Sequence, residues 1–275
     1  MSENKKYTLL KVLKEVGNLV PQLFKQWKVF SCYAGLLTLL GMFFGQWPHS
    51  CFKNNFWCVP LNKSNEYFQT IFISVYIILC IFITLFFMYD FYKSAFKNTV
   101  FKVRDIYIIG KEKIKSAGFI LLTVLICAIP LRIALIILFK PADPNWQVEF
   151  IYFIIAFICI MVPIMAIRLF CFVSAYYEKN TIPSLLPIFQ KTIGKSYVGI
   201  FLFLLLAWII ILTFRISYNL DVLSRDYNYL PIALLTSFAE YFLRLEYLAV
   251  FLLFSRAQYI CMNLSYSTEN GEKDE

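Results

Sequence analysis

Six long apolar stretches constrain this chain more than any other feature of its sequence. Each is close to or above the roughly 18–20 residues that cross a hydrocarbon core about 30 Å thick. None shows the alternation of a half-buried strand, so the pattern predicts helices, which satisfy their own backbone in lipid. The stretches are Val29–Gln46, Phe68–Tyr89, Ala117–Phe139, Phe150–Val173, Tyr197–Phe214 and a less regular run within Tyr229–Ile260.

The composition agrees with a protein that crosses a membrane several times. Apolar residues make up 60% of the chain and charged residues 16%, which is typical of the membrane class. The sequence therefore predicts an all-α fold, a polytopic membrane helical bundle of six transmembrane helices with amphipathic interfacial helices on the cytoplasmic side. We expect residues 1–27 to form an N-terminal cytoplasmic amphipathic segment, 28–262 the six-helix transmembrane domain and 263–275 a disordered cytoplasmic tail.

The 26 Lys and Arg residues, which give a net charge of +9, are distributed unevenly along the chain. They concentrate before the first span, between the second and third, and between the fourth and fifth. The positive-inside rule therefore places these segments and both termini in the cytoplasm. We expect a multi-pass protein of the cell membrane. Because no recognition motif accompanies the charge, no nucleic-acid partner is expected.

Two of the cytoplasmic segments have the periodicity of amphipathic helices. The first places Leu9, Leu13, Val16, Val20, Leu23, Phe24 and Trp27 on one face and Lys11, Lys14, Asn18 and Lys25 on the other. The second places Ile182, Leu185, Leu186, Phe189 and Ile193 on one face and Ser184, Lys191 and Lys195 on the other. Such helices lie at the lipid interface and attract anionic lipids, or they cap the bundle from below; the two interpretations are compatible.

The stretch Arg168–Trp208 resembles the membrane domain associated with glycerophosphodiester phosphodiesterases and related uncharacterised six-helix bacterial inner-membrane families. Ala175, Glu178, the Leu185 face and Gly194–Gly199 take the places of small residues, an acid, an amphipathic helix and a glycine-bearing entry into the next span. The final span also ends similarly, in "AQY" at Ala257–Tyr259, whereas Pro187 departs from the pattern. The resemblance implies a six-helix membrane module of a bacterial inner membrane and no chemistry.

The recognisable catalytic and metal-binding motifs are missing from the sequence. It has one histidine, His49, and neither a phosphate-binding loop nor a hydrolase motif. We therefore expect no enzyme, no cofactor and no metal. The predicted function is non-catalytic, in envelope or membrane organisation, with the lipid bilayer as partner and a second copy or another membrane protein as a further one.

Charged residues within the predicted spans form an intramembrane polar cluster of Arg132, Arg168, Glu240, Arg244 and Glu246. Charges at such depth are costly, so they indicate either a functional site or a buried structural pair. Glu240 and Arg244 lie one helical turn apart and are expected to pair. Arg132 and Glu240 reach similar depths, which makes an interhelical pair a second prediction. The alternative function is therefore a small transporter or permease-like subunit with a polar cavity at Arg132, Glu240 and Arg244.

The first outer loop contains two cysteines, Cys51 and Cys58, with six residues between them, and is predicted to face an oxidising compartment. A disulfide closing this loop is expected, with two free thiols as the alternative. Mass spectrometry of the purified protein without reductant should find the two cysteines linked. Alkylation of both thiols without prior reduction would contradict the bridge.

Overall fold

The computed structural model describes residues 8–43, 66–138, 148, 150–158, 171–179, 196–225 and 230–270. These residues contain helices and no strand, which confirms the all-α prediction. The helices are α1 (Leu9–Lys25), α2 (Trp27–Phe43), α3 (Glu66–Phe96), α4 (Lys111–Leu138), α5 (Phe172–Lys179), α6 (Ser196–Arg225) and α7 (Leu230–Asn270). Residues 150–158 are also helical, and a 3₁₀ turn, Val103–Ile106, lies between α3 and α4.

One helical stretch of the described chain is long and apolar enough to cross a membrane. It is Ile73–Phe96 within α3, with 24 residues and a mean hydropathy of 2.2. Two shorter apolar helices, Trp27–Phe43 and Tyr197–Thr213, coincide with the first and fifth predicted spans. The structure thus gives a helical chain with one candidate membrane span among its described residues.

The N-terminal amphipathic segment forms α1, as predicted. The helix begins after Thr8, whose Oγ1 accepts a hydrogen bond from the Lys11 amide at 3.3 Å, the geometry of an N-cap. Val12 is fully buried, and Leu9, Leu13, Val16, Val20 and Leu23 are half-buried. The side of α1 that carries these residues therefore packs inside the protein.

Two aromatic residues that were predicted on that apolar face are not buried with it. Phe24 is 77% exposed and Trp27 is 59% exposed. The reason for Trp27 is that α1 ends at Lys25, the chain turns at Gln26, and Trp27 already begins α2. Phe24 lies four turns beyond Leu10, which is also exposed, so the two share a face that turns away from Val12. Lys11 was predicted opposite the apolar face, but its Nζ is buried.

The chain divides into two compact units. The first unit comprises Met1–Gly17, Gly118–Leu204 and Phe254–Glu275. Within it, the Ser174 amide donates to Ser255 Oγ at 3.1 Å, and Glu178 forms an ion pair with Arg256 at 2.7 Å. The Phe119 and Tyr176 rings stack with their centroids 3.9 Å apart. The hydrogen bond and the ion pair therefore join α5 to α7.

The second unit comprises Asn18–Ala117 and Leu205–Leu253. Its core is an aromatic cluster in which Phe30 of α2 lies 5.3 Å from Phe87 and 5.5 Å from Phe91, both of α3. Phe242 of α7 joins the cluster at 5.2 Å from Phe30. Tilted and edge-on ring pairs at these distances add to the gain from burial. The cluster sets how α2 lies along the end of α3.

α7 continues to Asn270. The domain boundaries at 27 and 262 and the disordered tail from residue 263 stay predictions. Other predicted positions lie outside the described residues; they are Cys51, Cys58, Arg168, Leu185, Leu186, Phe189, Lys191 and Lys195.

Candidate functional site

Three polar side chains meet in the second unit, where the ends of α2, α3 and α4 come together. Tyr33 of α2 donates a short hydrogen bond to Asp90 Oδ2 of α3. Lys113 of α4 forms an ion pair with the same oxygen at 2.6 Å. Lys113 is 3% exposed, Asp90 8% and Tyr33 1%, so water is almost excluded from all three. We call Tyr33, Asp90 and Lys113 the buried polar cluster.

The ammonium group of Lys113 has every one of its protons accounted for. Besides the bond to Asp90, Nζ donates to Tyr33 Oη at 3.1 Å and to the carbonyl oxygen of Asp105 at 3.1 Å. A lysine has three N–H donors, and each finds an acceptor here. The Phe86 ring lies 5.1 Å from Nζ and adds a cation–π contact. This complete satisfaction is what allows a charged lysine to remain buried.

A second group of polar contacts lies beside the buried polar cluster and is partly exposed. Glu112 Oε2 accepts a hydrogen bond from Tyr89 Oη at 2.8 Å and pairs with Lys93 at 3.2 Å. The Lys93 ammonium also lies 4.8 Å from the centre of the Tyr89 ring. The hydrogen bond from Tyr89 and the positive charge of Lys93 lower the pKa of Glu112 below its usual value. Glu112 therefore stays ionised at neutral pH and continues to join α3 to the start of α4.

Gln26, at the turn between α1 and α2, is held by the end of α3. Ser94 Oγ donates to Gln26 Oε1 at 2.5 Å, and Gln26 Nε2 donates to the Ser94 carbonyl oxygen at 3.3 Å. Two bonds from one side chain fix its position better than one. The turn between α1 and α2 is therefore attached to the end of α3.

A cleft of about 410 Å³ opens next to these contacts. Tyr89, Asp90 and Lys93 contribute to one wall, and Lys111, Glu112 and Lys113 to another. Asp105 and three apolar residues of the connecting loop, Val100, Phe101 and Ile108, complete the lining with Ser94, Thr99 and Gly110. The lining carries three basic and three acidic side chains, and two of these pairs already neutralise each other. The cleft thus has no net charge that would select an ionic ligand.

In the structure, two residues of the predicted intramembrane polar cluster are in contact. Glu240 and Arg244 form the predicted ion pair one turn apart on α7. Next to them Tyr241 Oη lies 2.6 Å from Tyr76 Oη of α3. Arg132 and Glu246 are exposed, and the pairing of Arg132 with Glu240 stays a prediction. Arg132, Glu240 and Arg244 do not line the cleft.

Metal-ligating side chains do not gather in the part of the chain that the structure describes. Within it, no group of three His, Cys, Asp or Glu residues has the geometry to hold a metal ion. Its cysteines include Cys32, Cys80 and Cys171, which carry free thiols. Cys171 is buried, with Sγ 3.4 Å from Met262 Sδ, and so packs as a small apolar residue.

The buried polar cluster was missed by the sequence analysis. Asp90 follows directly after the predicted second span, and Lys113 was counted among the basic residues of the loop after it. One signal was present, because Asp90 is an isolated acid in the apolar run "LFFMYDFY" and such an acid needs a partner. The sequence did not show which of the seven nearby basic residues that partner is.

The ion pair of the buried polar cluster makes a stability prediction. Asp90→Asn leaves the Lys113 ammonium buried without a counter-charge and should lower the free energy of unfolding by about 3–5 kcal/mol. The double variant Asp90→Leu/Lys113→Met fills the same space without charge and should regain most of that loss. Thermal unfolding of the purified protein in detergent measures both. A double variant no more stable than Asp90→Asn would contradict the structural role of the ion pair.

The chain matches no protein-family model, and no curated protein and no solved structure is found to be similar to it. The resemblance to the phosphodiesterase-associated membrane domain therefore stays an expectation. In the described chain it is carried by Ala175, Glu178 and Ala257–Tyr259, which lie in the same compact unit.

Proposed function

We propose that this chain is a non-catalytic, multi-pass protein of a bacterial inner membrane, with six transmembrane helices and both termini in the cytoplasm. Its role is to organise lipid at the cytoplasmic surface through basic amphipathic helices. A second copy or another membrane protein is a further partner in this proposal. The observation that carries it is the exposed face of α1.

The exposed face of α1 alternates apolar and cationic side chains. Leu10, Lys14 and Phe24 follow one another at i, i+4 and i+14, which places them on one side of the helix. Leu10 is 80% exposed, and Lys14 is exposed as well. Apolar side chains on such a face enter the acyl boundary, while lysines extend to the lipid phosphates. A protein surface in water gains nothing from exposing Leu10 and Phe24.

The passage from α1 into α2 also has the chemistry of a membrane interface. Trp27 is exposed, and the Lys28 ammonium lies 5.8 Å from the centre of its ring. Tryptophan and lysine are the residues that anchor helix ends at the headgroup level. Gln26, which directly precedes Trp27, is held by Ser94. Trp27 and Lys28 therefore keep a fixed position at the start of the apolar helix α2.

The alternative proposal is a small transporter or permease-like subunit built around Arg132, Glu240 and Arg244. The observation in its favour is a set of polar groups within apolar helices, namely the Glu240–Arg244 pair beside the Tyr76–Tyr241 hydrogen bond. These groups satisfy one another, which favours a structural role for them.

The proposed function predicts which lipids stay with the protein. After extraction in a mild detergent, the full chain should retain anionic phospholipid in excess over its share of the membrane. The triple variant Lys14→Gln/Lys25→Gln/Lys28→Gln should lower that excess by about fivefold or more, since each basic residue near an anionic surface contributes about 1 kcal/mol. Quantitative mass spectrometry of the co-purified lipids measures the difference.

Two matched variants control this experiment. Replacing the same three lysines by arginine keeps the charge and should preserve the anionic excess. Leu10→Gln/Phe24→Gln keeps the charge but removes the exposed apolar side chains, and should release zwitterionic and anionic lipids alike. Retained lipid of the same composition as the bulk membrane in the natural chain would overturn the proposal.

A further inference from the structure

The loop between α3 and α4 exposes a dense group of large apolar side chains. Val100 is 81% exposed and Tyr107 is 74% exposed, and three further residues of the group are each more than half exposed. The group consists of Val100, Val103, Tyr107, Ile108 and Ile109, and we call it the loop patch. So many exposed apolar residues in ten positions indicate a surface that is covered in the working protein.

Basic residues are interleaved with the loop patch. Lys102 and Arg104 lie between its members, and Lys97 and Lys111 lie just before and just after it. Lys102, Arg104 and Lys111 are exposed. The acids of the same segment are already engaged: Asp105 accepts from the Lys102 amide, and Glu112 pairs with Lys93. The surface around the loop patch is therefore cationic and complements an anionic partner.

The loop patch is held in a defined conformation. α3 ends in a reversal at Asn98, whose φ is 51°, and the Thr99 amide donates to the Lys93 carbonyl oxygen at 3.4 Å. The Lys102 amide donates to Asp105 Oδ2 at 2.8 Å. The buried Lys113 ammonium donates to the Asp105 carbonyl oxygen at 3.1 Å. The buried polar cluster thus fixes the 3₁₀ turn from inside while the apolar side chains point outward.

The position of the loop decides between its candidate partners. The candidate membrane span Ile73–Phe96 ends at Phe96, four residues before Val100. A segment that follows a membrane span so closely lies at the headgroup level, where Tyr and Lys are favoured. We propose that the loop patch inserts into the interface of the anionic cytoplasmic leaflet, with Lys102 and Arg104 bound to lipid phosphates. This inference rests on the proposed function and names a second lipid-binding element beside α1.

Hydrogen–deuterium exchange of the full chain in lipid nanodiscs tests this proposal. Discs of phosphatidylcholine alone are compared with discs that also contain an equal part of phosphatidylglycerol. Amides of residues 100–109 should exchange about fivefold more slowly or slower still in the anionic discs, because Lys102 and Arg104 gain attraction there. Lys102→Gln/Arg104→Gln should abolish the difference between the two lipids. Val103→Ser/Tyr107→Ser should raise exchange in both.

Arg215→Gln is the matched control, because it removes one exposed positive charge from α6 and should leave exchange in the loop unchanged. Equal exchange of residues 100–109 in the two kinds of disc would overturn the proposal. So would slow exchange that increases with the number of chains per disc and not with phosphatidylglycerol, because that result assigns the loop patch to a second copy of the chain. Unchanged exchange within α3 shows that each variant is folded.

The two lipid experiments can reject the role of α1 and the role of the loop patch independently of each other. Loss of the anionic excess in the lysine variants of α1 together with lipid-independent exchange in the loop rejects the loop patch alone. Lipid-dependent exchange in the loop with no retained anionic lipid in the natural chain rejects the role of α1 and leaves the loop patch supported. A chain that shows neither effect has no specific contact with lipid headgroups at this surface.

Discussion

The ion pair between Lys113 and Asp90 is the contact on which the organised end of the second unit depends. It joins α4 to α3 with almost no water present, and Tyr33 brings α2 to the same oxygen. An isolated charge at this depth costs several kcal/mol, so the three side chains are stable only together. Because Lys113 also binds the carbonyl oxygen of Asp105, the same contact holds the loop outside the helices.

The buried pair has its main consequence at the surface. Fixing the loop from inside keeps Val103 and Tyr107 exposed, since side chains on a 3₁₀ turn held this way do not fold back onto the core. Gln26 and Ser94 act similarly for the turn next to Phe24 and Trp27, because their two hydrogen bonds attach it to the end of α3. Polar contacts inside thus position apolar side chains outside, the arrangement that a protein at a lipid interface needs.

The helices could be predicted from the sequence, whereas the buried polar cluster could not. Apolar runs and the period of α1 predict helices because burial and lipid both require an internally bonded backbone. The pair of Glu240 with Arg244 was equally predictable, since both lie on one helix and their spacing fixes their distance. Asp90 and Lys113 lie on different helices, and their meeting depends on how α3 and α4 turn at Asn98 and pack. No periodicity in the sequence encodes that packing, nor the outward turn of Phe24.

We propose that α1 and the loop after α3 face the cytoplasmic leaflet. Reporter fusions to the chain after Lys102 locate that loop directly, with fusions after Lys63 and Asn270 as references for the two sides. This orientation predicts a cytoplasmic reading at Lys102 and Asn270 and an external reading at Lys63. An external reading at Lys102 would contradict it, because the basic loop and its exposed apolar side chains would then face the wrong side of the membrane.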